Sequence, residues 1–292
     1  MKRLPVSLAM VMIVLSPSVW AKTVDAVASF SVLADMVKQV GGEHVKVTSL
    51  VGPNGDPHSF EPSPRDSQAL KQADVVFVSG LGMEGWMNRL ISASGYRGQV
   101  ITASNGVNAR KMVDEGKTVT DPHAWNSAAN GAIYARNIME ALVAADPDDA
   151  GDIRRRGEAY IQQLDKLDLW AKTQFAAIPR AKRKVITSHD AFGYFGREYG
   201  VTFLAPVGFS TESEAGAGNV AALIDQIKRE HIKTYFMENQ TDPRLVKQVA
   251  AASGAQPGGE LYPEALSKAD GPAATYEAAF KHNVDTIVNS MK

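Results

Sequence analysis

The chain has no cysteine among its 292 residues. That absence excludes disulfides, thiolate metal ligands and an N-terminal lipidated cysteine. Aromatic residues make up only 8% of the sequence, and neither sign of charge dominates, with 31 basic residues against 32 acidic ones. Such a balance gives no electrostatic footprint for nucleic acid. Long apolar runs are also missing: the stretch from Leu4 to Leu15 is too short to span a bilayer. It follows Lys2 and Arg3 and precedes the small-residue segment Ser16 to Ala21, so 1–21 reads as a secretory signal peptide. Val19 and Ala21 fit a cleavage site, which places the expected mature start at Lys22 and the mature protein free in the periplasm. Removing Lys2 and Arg3 leaves 29 basic against 32 acidic residues, a net charge of about -3 with histidine neutral. About 270 mature residues of ordinary apolar content suffice for two domains.

What is present alternates. From Val24, short β-rich runs trade with helical stretches, the pattern of an α/β fold with parallel strands. Strands are expected near Val24 to Ala28, Val45 to Leu50, Asp74 to Val78 and Gln99 to Thr102, then Lys184 to Ser188, Val201 to Ala205, Lys233 to Met237 and Gly259 to Tyr262. Between the two sets, Asp146 to Pro179 carries apolar or small residues at helical spacing: Ala150, Ile153, Gly157, Tyr160, Leu164, Leu167, Ala171 and Ile178, with a lapse at Gln174. Asp146 as cap, Pro147 at the first position and Pro179 as stop predict one helix of about 48 Å, longer than a small domain is wide. Val47 to Gly52 also finds an echo in Val201 to Pro206. The expected architecture is therefore two similar lobes, 22–145 and 180–292, each a parallel four-stranded sheet flanked by helices, linked by the backbone helix 146–179.

Three of six histidines share a kind of place. His58, in Asp56-Pro57-His58, follows the second strand; His123, in Asp121-Pro122-His123-Ala124-Trp125, comes after the fourth; His189, in Ser188-His189-Asp190, ends the first strand of the second half. These are carboxyl ends of strands, the edge at which open α/β sheets bind ligands. Three neutral imidazoles converging on one cleft suit a divalent transition metal, and Glu264, after the last strand, supplies a fourth donor. Asp56, Asp121 and Asp190 are placed to fix these loops or to accept from the histidines. His44, His231 and His282 sit in a turn, before a strand and on the last helix, and read as surface residues. Asp-Pro also starts turns, so spacing alone leaves metal binding and plain loop structure both open.

The motifs Asp56-Pro57-His58, Gly80-Leu81-Gly82-Met83-Glu84-Gly85-Trp86, Asp121-Pro122-His123-Ala124-Trp125, Ser188-His189-Asp190-Ala191-Phe192-Gly193-Tyr194-Phe195, Glu238-Asn239 and Asp242-Pro243-Arg244-Leu245 carry a resemblance over essentially the whole mature chain. It resembles the zinc- and manganese-binding solute-binding proteins of bacterial ABC importers. The resemblance implies a two-lobed, non-enzymatic periplasmic protein that captures a metal ion and delivers it to a membrane permease; a monomer is expected. It matches His58, His123 and His189 to the family's three histidine ligands. The fourth family ligand is usually aspartate in a Leu-Tyr-Ser-Asp-Ser-Leu-Ser stretch, where this chain has Leu261-Tyr262-Pro263-Glu264-Ala265-Leu266-Ser267. The connection from Ala109 to Thr120 is short and lacks the His-rich insertion of many zinc members.

Nitrogen-rich sites favour zinc over manganese in intrinsic affinity, and the resemblance points the same way through His189, so zinc is expected, with manganese the alternative. Two other classes compete. A zinc hydrolase would leave one position open for water with Glu264 as base, but neither a His-Glu-x-x-His nor a Gly-x-Ser-x-Gly motif occurs. A binder of a metal chelate or organic solute would need an apolar cleft, for which Trp86, Trp125, Phe192 and Phe209 are available, although core or lobe-interface packing is the expected place for all four.

Overall fold

The computed structural model describes residues 23–292 except 115 and 214, so the signal-peptide segment lies outside the described residues. Its first parallel sheet is built from β1 (Val24–Phe30), β2 (Val45–Val51), β3 (Val75–Val78) and β4 (Gln99–Thr102), in the order β2-β1-β3-β4. Both faces of β1 and β3 are covered, which is why they read as near-continuous apolar runs. The helices α1 (Ser31–Gly41), α2 (Pro64–Gln72) and α3 (Met87–Ser94) connect these strands. A capping box starts α2: Ser63 and Asp66 satisfy each other's backbone, with Pro64 at the first position.

An antiparallel hairpin, β5 (Lys111–Asp114) and β6 (Lys117–Thr120), follows where the sequence suggested a plain connection. Each arm is only four residues long, too short for a strand pattern to stand out. The turn signal was there in Gly116, whose φ of 76° is left-handed.

After α4 (Ala128–Ala145) comes the long helix, α5 (Ala150–Ala176), shorter at both ends than the expected 146–179. Asp146 is the C-terminal cap of α4 instead of the N-terminal cap of α5, and its Oδ1 accepts from the Asp149 N–H, so 146–149 is a turn. At the far end Ala177 is the cap, since a residue preceding proline, here Ile178, disfavours the helical conformation. The apolar stripe is as expected, and Phe175 closes the gap left at Gln174. At about 40 Å, α5 is long enough to touch both halves. It packs on α1 and α4 on one side and, on the other, on α6 (Gly193–Tyr199) and α9 (Tyr276–Met291). Gly157 marks a close approach: a Cβ there would stand 2.6 Å from Met139 of α4.

The second sheet contains β7 (Lys184–Ile186), β8 (Thr202–Leu204), β9 (Thr234–Glu238) and β10 (Gln256–Leu261), and again runs parallel as β8-β7-β9-β10. The sequence echo falls on β2 and β8, which hold the same edge position beside the first strand of their sheets. Two further helices, α7 (Ala217–Arg229) and α8 (Arg244–Ser253), cover the sheet on one side over a small core of its own around Ile186, Ile227 and Val249. The main core runs without interruption from Phe30 and Val76 through Leu164 to Phe195 and Phe280.

Candidate metal centre

The loops after β2, β6, β7 and β10 meet between the sheets, and they bring His58, His123, His189 and Glu264 together. One donor atom from each lies within 4.8 Å of the others. Glu264 Oε1 is the hub, with the Nε2 atoms of His58, His123 and His189 at 2.8, 2.7 and 3.1 Å. The two nitrogens of His58 and His123 are 3.3 Å apart. That is the spacing of neighbouring donors in a tetrahedral zinc shell with bonds of about 2.0–2.1 Å. All four side chains are nearly dry, the most exposed being His58 at 4%.

Each donor is held from behind. His123 Nδ1 meets Asp121 Oδ1 at 2.9 Å, and Arg110 Nη1 donates to the other oxygen of that buried carboxylate at 2.7 Å. His189 Nδ1 pairs with Glu238 Oε2 at 2.5 Å, while Glu238 Oε1 accepts the backbone N–H groups of Ser188 and His189. Such partners fix ring orientation, leaving Nε2 to face the centre. The Asp56 carboxylate accepts the His58 N–H through Oδ1 and the Thr211 hydroxyl through Oδ2, so it joins the His58 loop to the second lobe. Gln240 Nε2 donates to Glu264 Oε2 at 3.0 Å, which turns a single oxygen, Oε1, toward the histidines.

Two tryptophans pin the loops themselves. Trp86 Nε1 donates to the Pro57 carbonyl and Trp125 Nε1 to the Pro263 carbonyl, each one residue before a donor. Sequence reasoning set Asp121 and Asp56 correctly beside the histidines, but Asp190 makes no hydrogen bond to His189. Burial and the nearby Asp121 carboxylate push the Asp190 carboxyl up instead. Glu238, Gln240 and Arg110 were given no role. Glu238 had a signal, a carboxylate ending an apolar strand at the ligand edge.

Electrostatics follow from burial among opposite charges. Burial opposes a proton on His123, yet hydrogen bonds to Asp121 and Glu264 outweigh it and lift the imidazole to about 9. Burial acts the same way on His189, and Glu238 and Glu264 again prevail, holding it well above the usual histidine range. Glu264 itself is buried, but the charges of His58 and His189 keep its carboxyl far below the ordinary value.

The rings leave little space. His58, His123 and His189 lie edge to face with centroids 5.4 to 6.0 Å apart, and Trp125 and Phe209 close on them at 5.7 and 6.2 Å. A single ion fits among such donors, whereas an organic solute does not. Phe192 is no cleft residue, since it stacks on Phe203 in the core. A cavity of about 380 Å³ lined by Lys184, Glu230, His231 and Ile232 adjoins the amino ends of β7 and β9, away from His58, His123 and His189.

Two α/β lobes enclosing a dry cluster of imidazole and carboxylate donors define a bilobal metal-binding protein. The family described as zinc-uptake complex component A, periplasmic, matches residues 26–290. The manganese-binding lipoprotein MntA of Bacillus subtilis is 36% identical over 273 residues, which cover 91% of this chain and 89% of that one. The iron ABC transporter substrate-binding lipoprotein MtsA of Streptococcus pyogenes is 32% identical over 89% of this chain and 86% of its own. Among solved structures, the periplasmic zinc binding protein TroA from Treponema pallidum superposes with a TM-score of 0.87 at 30% identity, covering 92% of this chain and 99% of that one. The chain belongs to this family of metal-binding components of ABC importers. It is a transport protein and not an enzyme.

Proposed function

We propose that the chain captures one zinc ion between His58 Nε2, His123 Nε2, His189 Nε2 and Glu264 Oε1 and delivers it to the membrane permease of its importer. The observation that carries this reading is the donor set itself, three imidazole nitrogens around one carboxylate oxygen in a water-poor cluster. Because Gln240 engages Oε2, the carboxylate offers one oxygen, and a four-coordinate shell of three nitrogens and one oxygen suits zinc. Manganese prefers more oxygen donors and higher coordination. It is the second reading because MntA, the relative at 36% identity, is named for manganese.

The protein acts as a monomer, released into the periplasm by cleavage before Lys22. Intact mass and light scattering of the protein recovered from a periplasmic extract check both points. Ion choice is tested on protein stripped of metal and reloaded with zinc and manganese in competition. Zinc should displace manganese and bind through the four named residues, with alanine at any of the three histidines weakening it strongly. Preferential retention of manganese, or unchanged zinc affinity in one of the variants, would sink the assignment concerned.

A further inference from the structure

A second cluster lies at the opposite edge of the first sheet. His44 closes a short 3-10 turn, Gly42–His44, just before β2, and Asp146 and Asp149 belong to the turn between α4 and α5. One donor atom from each of the three lies within 4.8 Å of the others. Far from being a free surface residue, His44 has both ring nitrogens engaged: Nδ1 faces Asp149 Oδ2 at 3.1 Å and Nε2 meets Asp152 Oδ2 at 2.9 Å. That division is how a metal-ligating imidazole is held, with one nitrogen toward the ion and the other donating to a carboxylate.

Asp146 supplies an independent observation. It is 6% exposed, its Oδ1 accepts the Asp149 N–H at 3.3 Å, and its Oδ2 is buried without any hydrogen-bond partner. It also caps the carboxyl end of α4, where the helix dipole repels an anion. A buried carboxylate oxygen with no donor and an adverse dipole is costly unless a cation sits beside it. The neighbouring arginines do not fill that role. Arg155 pairs with Asp152, and Arg156, whose Nε is itself buried without an acceptor, makes no ion pair with these carboxylates among the described residues.

We propose that His44, Asp146 and Asp149 form a second site for a divalent transition metal, with His44 Nδ1 and one oxygen of each carboxylate as ligands. Asp152 orients the imidazole. A nitrogen and two carboxylate oxygens, completed by water, form a borderline donor set that accepts zinc. The site stands at the amino end of β2, whereas His58 follows its carboxyl end, so seven strand residues, roughly 20 Å, separate the two. An ion here ties the start of α5 to the turn before β2, which makes it a staple of the fold and not transported cargo.

Zinc titrated into the stripped, full mature chain and followed by native mass spectrometry tests this independently of the cleft. The wild type should take two ions, and His44→Gln and Asp146→Asn one each. The double variant His58→Ala/His123→Ala should keep one ion, and zinc should still raise its Tm. Adding Asp146→Asn, a near-isosteric change, to that double variant should abolish both responses, with circular dichroism checking that the fold persists. A wild type that takes one ion overturns the proposal, as does a double variant blind to zinc or a second ion that survives Asp146→Asn.

Discussion

At the scale of single residues, the cleft holds protons where the proposed ion would sit. His123 keeps its proton to about pH 9, because the Asp121 and Glu264 carboxylates outweigh its burial, and His189 is raised as well. An imidazole must be neutral to bind metal, so the proposed zinc ion would displace these protons. The signs then oppose each other. For the metal-free protein, a folded value raised from 6.5 to about 9 gives stability fully present below 6.5 and lost as pH climbs through 9. Zinc affinity should instead rise across that same window, and calorimetry in buffers of different ionisation enthalpy should register proton release at pH 7. Affinity that is flat between pH 6.5 and 9 would show that the histidines bind no such protons. Removing a residue behind a ligand should be felt too: Asp121→Asn is expected to weaken zinc about 10- to 100-fold, measured by competition with a chelator, while the metal-free fold is kept. That His58, His123, His189 and Glu264 come together was legible in the sequence because each follows the carboxyl end of a strand. Gln240 was not, because its role depends on which Glu264 oxygen it meets, a matter of side-chain geometry that spacing does not encode.

At the scale of elements, packing that the sequence shows only as a stripe becomes a set of close contacts. Gly157 was legible as a small residue on the buried face of α5, but its partner Met139 was not, since pairing between helices depends on how they cross. Gly157→Leu should overpack this contact and cost about 1–3 kcal/mol, read as a fall in the urea midpoint at constant slope. An unchanged midpoint would mean that α4 shifts freely, against the burial of both helices. The start of α5 departs from expectation for a related reason: Asp-Pro is both a good helix start and a good turn, and here the demand of α4 for a cap decides. The loops behave similarly. Trp125→Phe keeps the ring beside His123 but removes the donor to the Pro263 carbonyl. That leaves a buried acceptor unpaired at a cost of about 1–3 kcal/mol, and it frees the residue before Glu264. Tm and zinc affinity should therefore fall together, and a loss of Tm with full affinity would uncouple the loop from the site.

For the whole molecule, the question is how a closed cluster opens. The continuous core joins both sheets through α5 and α9, and side chains such as Leu164, Phe175 and Phe280 would have to lose contacts for the lobes to swing apart. At roughly 25 cal/mol per Å² of apolar surface, exposing even a few such side chains costs several kcal/mol. The helix itself contains no proline and one glycine in its buried stripe, already filled by Met139. A different part of the molecule is less bound to this frame. The faces of α7 and α8 rest on their own small core, separate from the main one. That sub-structure lies beside groups that reach the cleft: Thr211, before α7, binds Asp56 beside His58, while Glu238 ends β9 and Gln240 lies between β9 and α8. Movement confined to it would loosen His58, His189 and Glu264 together without bending α5. Hydrogen exchange with and without zinc should therefore change in the segment from Pro206 through α8 and stay constant along α5, and the radius of gyration from X-ray scattering should change by no more than a few per cent. A large change in that radius, or new exchange along α5, would mean that the lobes open as rigid bodies about the helix and that the shared core is no barrier.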